Sequence, residues 1–437
     1  MQSNLTTKKI FVFWFPLAAT WLMMAVEGPF LAAIIARLPE AKFNLAAYGV
    51  AYSFALLSEA PVIMMLSAST ALVKDNHTYT KLRNFNTMLI ILVTFILLIG
   101  LIPPFFEFIT MHLINLPQNV SDLTYTSMVI LIPWPGAIAL RRFLQGILIV
   151  NNKTRLVSYG TMIRISAMGA TGFLLFKYSS IPGAFVGASA LTAGVVSEVI
   201  MTAFICRPYI KKLRVLKSDL AEQYLRYREI ARFYYPLALA TFIGLGSQPL
   251  ITFMVGHSNM ALESLAILPV INALVFIFRS MGLSYQEVGI ALMGKKNEGY
   301  KPLRNFALKM AVINTFLLGL IAFTPLAEIW FIKISGLNQN LAHLAVLPTQ
   351  ILVLMPALNV LISFQRAMQV VHKKTGAVST ATALEVTGII LVMIISIQYI
   401  NFIGATAAAL AMIIGRLSSN IYLHHTNKKA LILNLHP

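Results

Sequence analysis

Seven charged residues stand in stretches that are otherwise apolar: Glu27, Glu59, Arg164, Glu198, Arg279, Glu385 and Arg416. Arg142 and Arg366 keep similar company, each three residues before a glutamine, Gln145 and Gln369. If those stretches lie in a membrane, a charge at a helix centre costs about 2.5–3.5 kcal/mol on insertion scales, so it pairs or lines a polar cavity. Such a set can hold an ion or a charged solute, exchange a proton, or pair and separate as a gate. It does not suit covalent catalysis, because no nucleophile and base converge in a recognisable motif. The eight histidines lack metal-ligand spacing, and the single cysteine, Cys206, allows neither an internal disulfide nor a cysteine-based zinc site. Gly289-Ile-Ala-Leu-Met-Gly294-Lys295-Lys296 imitates a phosphate loop but lacks the closing Ser or Thr and ends an apolar helix. No enzyme, cofactor or metal is expected.

The elements that hold these charges follow from composition. Of 437 residues, 58% are hydrophobic and 11% charged, against about 25% charged in soluble proteins. Apolar stretches of spanning length recur near 11–36, 45–73, 86–110, 122–150, 157–178, 181–206, 232–256, 263–293, 306–332, 341–371, 376–398 and 401–423. The expected fold is therefore an all-α membrane protein of about twelve transmembrane helices. The net charge of +19 needs no nucleic acid. Lys8, Lys9, Lys74, Lys81, Arg83, Lys153, Arg155, the basic run 207–232, Lys295, Lys296, Lys301, Arg304, Lys373, Lys374, Lys428 and Lys429 fall in loops on one side. Arg37, Lys42, Lys177 and Lys333 fall on the other. That asymmetry predicts cytoplasmic termini in an integral membrane protein, of the plasma (inner) membrane if the source is bacterial. No cleavable signal is apparent.

The chain also repeats itself. Leu82-Arg83-Asn84-Phe85 returns as Leu303-Arg304-Asn305-Phe306, an offset of 221 residues. Pro16-Leu17-Ala18 with Pro236-Leu237-Ala238 and Leu45-Ala46 with Leu265-Ala266 keep an offset of 220. Gln118-Asn119 with Gln339-Asn340 and Gly183-Ala184 with Gly404-Ala405 keep 221. Two copies of six helices predict parallel repeats related by an axis along the membrane normal. The domains expected are 1–206 and 232–437, joined by 207–231 as a cytoplasmic linker helix lying on anionic headgroups.

Two charge differences between the copies are reciprocal: Glu59 aligns with Arg279, and Arg164 with Glu385. Such residues either meet across the axis as a gate or pair each within its own half. Arg142 with Gln145 and Arg366 with Gln369 read as retained in both copies, which favours a structural or snorkelling role. Glu198, Asn272 and Arg416 are secondary candidates for ion or solute contact. Glu27, followed by Gly28 and Pro29, faces a neutral counterpart, Ser247-Gln248-Pro249, so the scaffold does not demand an acid there.

Two six-helix copies, each opening on a Pro-Leu-Ala-type helix, resemble the superfamily of multidrug-extrusion (MATE) transporters and polysaccharide and lipid flippases. Leu45-Ala-Ala-Tyr-Gly-Val-Ala-Tyr-Ser53, Pro236-Leu-Ala-Leu239, Pro249 and Glu263-Ser-Leu-Ala-Ile-Leu268 are similar to the progressive ankylosis family. The resemblance implies V-shaped bundles around a central cavity and export of a small anion such as pyrophosphate, a nucleotide or citrate. Gln248 stands where that family has a basic residue, and Arg164 and Arg279 could supply the charge instead. The alternatives are a proton- or sodium-coupled multidrug exporter, with Glu27 or Glu59 as coupling carboxylate, and a lipid-linked flippase. A monomer in the bilayer is expected, with a small solute and a coupling proton or sodium as partners.

Overall fold

The computed structural model describes residues 5–151, 153–215, 225–294, 297–371 and 376–433. Lys295, Lys296, Lys373, Lys374 and the middle of the expected linker, 216–224, lie outside the described residues. The first half comprises α1 (Thr7–Ala25), α2 (Glu27–Ala36), α3 (Ala41–Glu59), α4 (Met65–Leu72), α5 (Asn76–Gly100), α6 (Pro103–Glu107), α7 (Gln118–Ile130), α8 (Pro133–Val150), α9 (Thr154–Tyr178) and α10 (Gly183–Val215). The second comprises α11 (Tyr227–Gly256), α12 (Ala261–Leu283), α13 (Tyr285–Leu292), α14 (Tyr300–Ala322), α15 (Leu326–Glu328), α16 (Gln339–Ile351), α17 (Met355–Val371), α18 (Gly376–Ile394) and α19 (Gly404–Leu433). Residues 207–215 are the last turns of α10 and 227–231 the first turn of α11, so the described parts of the expected linker helix belong to its neighbours.

Proline explains several of the breaks. Pro29 has no N–H for the carbonyl of Ala25, and the chain turns at Val26 between α1 and α2. Pro61 parts α3 from α4, and Pro133 opens α8 after the break that follows α7. Joined across these breaks, the helices of the described residues make twelve rods, six per half. Among the described residues, nine helical stretches are long and apolar enough to cross a membrane. The rods 41–72, 154–178 and 227–256 fall short. The chain is an integral membrane protein.

The repeat is visible in the backbone. A π-helical turn occupies Phe108–Leu113 and again Ile329–Ile334, 221 residues on. Each is followed by a residue at positive φ, Asn115 (62°) and Gly336 (77°). Glu40 (52°) and Met260 (51°), 220 apart, hold the same left-handed conformation before α3 and α12.

Packing divides the chain differently from the duplication. One compact unit is continuous, Leu38–Phe253, and the other is split, Met1–Arg37 with Met254–Pro437. The first rod of each half thus packs with helices of the other half. In the split unit, the Trp14 indole donates to the carbonyl of Met281 (3.2 Å) and meets Phe306 edge-on. In the continuous unit, the Tyr234 hydroxyl donates to the carbonyl of Pro61 and meets Phe85 edge-on. These are the same contact at the repeat offset, with the halves exchanged. Phe85 and Phe306 are the last letters of the repeated Leu-Arg-Asn-Phe word, and its leucines are fully buried. Helices in a bilayer gain little from burying apolar surface against each other, so close van der Waals approach must hold them. Gly146 of α8 supplies it in the continuous unit, where an added Cβ would stand 2.5 Å from the Ser69 Cβ. In the split unit the glycine is on the opposite helix, Gly289 of α13 against Ala367 of α17 (2.6 Å).

Candidate functional site

Within the continuous unit, buried charge gathers where α3, α8, α9 and α10 meet. Trp134, Arg141 and Gln145 are spaced by seven and four residues, which puts them on one face of α8. Glu198 of α10 is completely buried and accepts from Arg141 Nη1 at 2.6 Å through Oε2 and from Gln145 Nε2 at 3.2 Å through Oε1. Arg164 of α9 stands 4.0 Å from the same Oε2, with its guanidinium 5.7 Å from the centre of the Trp134 ring. The indole Nε1 of Trp134 donates to Glu59 Oε2 at 2.9 Å. One tryptophan therefore links the acid at the end of α3 to the arginine on α9.

The split unit ties the corresponding helices with the signs reversed. Glu385 of α18 pairs with Arg416 of α19 at 2.8 Å. Arg366 of α17 donates to Thr382 (3.3 Å), and Gln369 donates to Asn427 (2.7 Å). The fifth rod thus carries the arginine in one unit and the glutamate in the other, and the sixth rod carries the opposite charge each time. The inversion of Arg164 against Glu385 has a partner inside each unit, Glu198 and Arg416.

The expected alignment of Arg142 with Arg366 is corrected by two equivalent contacts. Cys206 donates to the carbonyl of Leu144 (3.4 Å), and Asn427 donates to that of Gln365 (3.2 Å), both steps being 221 residues. At that register Gln145 matches Arg366, and Arg142 matches Ser363. The Arg-x-x-Gln words coincide in spelling but sit one turn apart, so Arg142 is not retained in the second copy.

The remaining candidates lie on other helices. Glu27 is buried at the start of α2, beside Gly28, whose added Cβ would lie 3.2 Å from Ala273. Gln248 is half-buried on α11, and its carbonyl accepts from Thr252 (3.1 Å). Asn272 is half-buried on α12. Arg279, also on α12, lies 5.3 Å from the Phe276 ring centre, and its carbonyl accepts from Asn359. Sequence reasoning missed Arg141 and Trp134. A second arginine beside Arg142 in an apolar helix was the available signal for the first; Trp134 offered none, because a tryptophan in a membrane helix has many uses.

No protein-family model matches this sequence, nor does any curated protein. Solved structures do match. The lipid II flippase MurJ in an inward closed conformation superposes with a TM-score of 0.70 at 16% identity, covering 96% of this chain and 91% of that one. A MOP superfamily transporter from Pyrococcus furiosus gives 0.63 at 15% identity, covering 99% and 100%. A multidrug resistance MATE family transporter, inward-facing, gives 0.62 at 14% identity, covering 99% and 97%. With twelve helical rods in two repeats and this likeness over nearly its whole length, the chain has the fold of the MATE and MOP-superfamily transporters.

Proposed function

We propose that this protein is a secondary active transporter that exports a small anionic solute by alternating access. The observation that carries the anionic reading is the balance of charges in helix interiors. Among the described residues, the buried or half-buried arginines are Arg141, Arg142, Arg164, Arg279, Arg366 and Arg416, and the buried glutamates are Glu27, Glu59, Glu198 and Glu385; the half-buried Lys42, Lys81 and Glu263 lie near helix starts. Each unit holds three of these arginines and two of these glutamates. Charges inside a membrane bundle are expensive and are kept where they pair or serve a polar path. A surplus of guanidinium suits a pyrophosphate-, nucleotide- or citrate-like passenger, because the planar fork of Arg matches carboxylate and phosphate. Glu27 is the residue proposed to hold a coupling proton or sodium.

The test is uptake into proteoliposomes across a panel of labelled anions, with imposed proton and sodium gradients. Gradient-driven movement of an anion supports the reading. Movement of amphipathic cations alone would replace it with drug export. A second reading, a lipid-linked flippase, draws support from the superposition on MurJ and shares the need for cations that meet phosphate. Translocation of a fluorescent phospholipid or polyprenyl phosphate without anion uptake would favour it.

A further inference from the structure

The geometry points to Arg142 as the side chain that recognises an oxyanion, a carboxylate or phosphate group, in the continuous unit. This deepens the anion-transporter reading and rests on it for the identity of the passenger. The argument is one of unsatisfied valence. Both oxygens of Glu198 are engaged, Oε2 by Arg141 with Arg164 behind it, and Oε1 by Gln145. Glu59 gives Oε2 to the Trp134 indole. Three guanidiniums thus share two carboxylates, and the surplus falls on Arg142, which makes no hydrogen bond or ion pair among the described residues. Its Nε is buried without a partner, while the side chain as a whole is only half-buried. The neighbouring Nε of Arg141 is likewise buried and unpartnered, in a residue just 5% exposed. An arginine needed only for packing would be expected to close on one of the two acids nearby. A guanidinium whose Nε–H is buried and unpartnered needs an acceptor there, and a bidentate oxyanion can take that N–H together with a terminal one. The counterpart of Arg142 in the other copy is Ser363, so the duplicated scaffold does not require a cation at this place.

The oxyanion can belong to a soluble solute or to a lipid headgroup, and the experiment separates the two. Full-length protein in micelles is titrated with pyrophosphate, with citrate, and with phosphatidylglycerol in mixed micelles, reading binding heat and the thermal unfolding midpoint. The variants are Arg142→Gln, Arg142→Lys and, as a control on the exposed end of α9, Lys177→Gln. Wild type and Lys177→Gln should bind pyrophosphate or citrate equally, and Arg142→Gln should bind at least about tenfold more weakly. Arg142→Lys should fall between, since an ammonium keeps the charge but loses the fork. Size-exclusion profile and helical content confirm that the variants are folded. Binding by phosphatidylglycerol alone, lost in Arg142→Gln, keeps the oxyanion site and makes its ligand a lipid phosphate. Wild-type affinity in Arg142→Gln, or no binding of any of the three probes to wild type, overturns the inference. The two readings fail separately. Anion uptake with an unmoved KM in Arg142→Gln sinks only the role of Arg142. Absence of uptake by wild type sinks the transporter, while the titrations still judge the residue.

Discussion

At the scale of single residues, Glu198 is the side chain on which most others depend. It is fully buried and neutralises Arg141 at 2.6 Å while Arg164 stands at 4.0 Å. Removing one member of a buried pair leaves its partner charged and unsolvated, typically at a cost of about 3–5 kcal/mol. Glu198→Ala should lower the thermal unfolding midpoint sharply. Adding Arg141→Met to it should recover part of the loss, because two neutral side chains leave less buried charge uncompensated. Additive losses in the double variant, measured by unfolding in micelles, would mean that Arg141 has another counter-ion. Glu27 poses a different question. It is buried, and its counterpart, Ser247, is neutral. If it holds the coupling proton, Glu27→Gln should abolish gradient-driven uptake and flatten its pH dependence while the protein still folds and inserts, as judged by its size-exclusion profile. Uptake with an unaltered pH profile would make the residue structural.

At the scale of elements, helix contacts are set by residues that leave no room. Gly415 of α19 lies so close to α18 that an added Cβ would stand 2.6 Å from the carbonyl oxygen of Glu385. The clash is with backbone, which cannot swing aside, so Gly415→Ala must part α18 from α19 just where Glu385 meets Arg416 at 2.8 Å. We expect a loss of about 1–3 kcal/mol, the usual range for overpacking, read as a lower unfolding midpoint. The sequence carried much of this element-scale order. The repeated Gln-Asn word at 221 marks equivalent places in the structure, the starts of α7 at Gln118 and α16 at Gln339, because a helix start is set by adjacent residues. The Arg-x-x-Gln match misled for the opposite reason: its true register is set by carbonyls on a different helix, reached from Cys206 and Asn427. The partners of Glu59 and Glu198 were hidden likewise, since Trp134 and Arg141 lie 75 and 57 residues away in the chain.

At the scale of the whole molecule, the exchange of first rods was not legible, because hydrophobic period says that a helix is buried and not by what. The exchange nevertheless predicts how the protein is made. Tyr234 and Ile230 belong to the same apolar cluster as Leu82, Phe143 and Leu148, so the continuous unit has no complete core until α11 has been synthesised. A fragment ending at residue 206 should be degraded or protease-sensitive when produced alone. Produced together with 207–437, it should assemble into a protease-resistant pair, as judged by co-purification. A stable, resistant 1–206 fragment by itself would show that the exchanged rod is dispensable. The same feature bears on ancestry. A six-rod progenitor would have carried the two halves of the Trp14–Met281 and Tyr234–Pro61 contact at once, the donor on its first rod and the acceptor at the break in its second. If it packed as its descendants do, it could not satisfy that contact alone and lived as a reciprocal dimer. Fusion of two such copies would make that partnership permanent and leave each copy able to change its charges without the other.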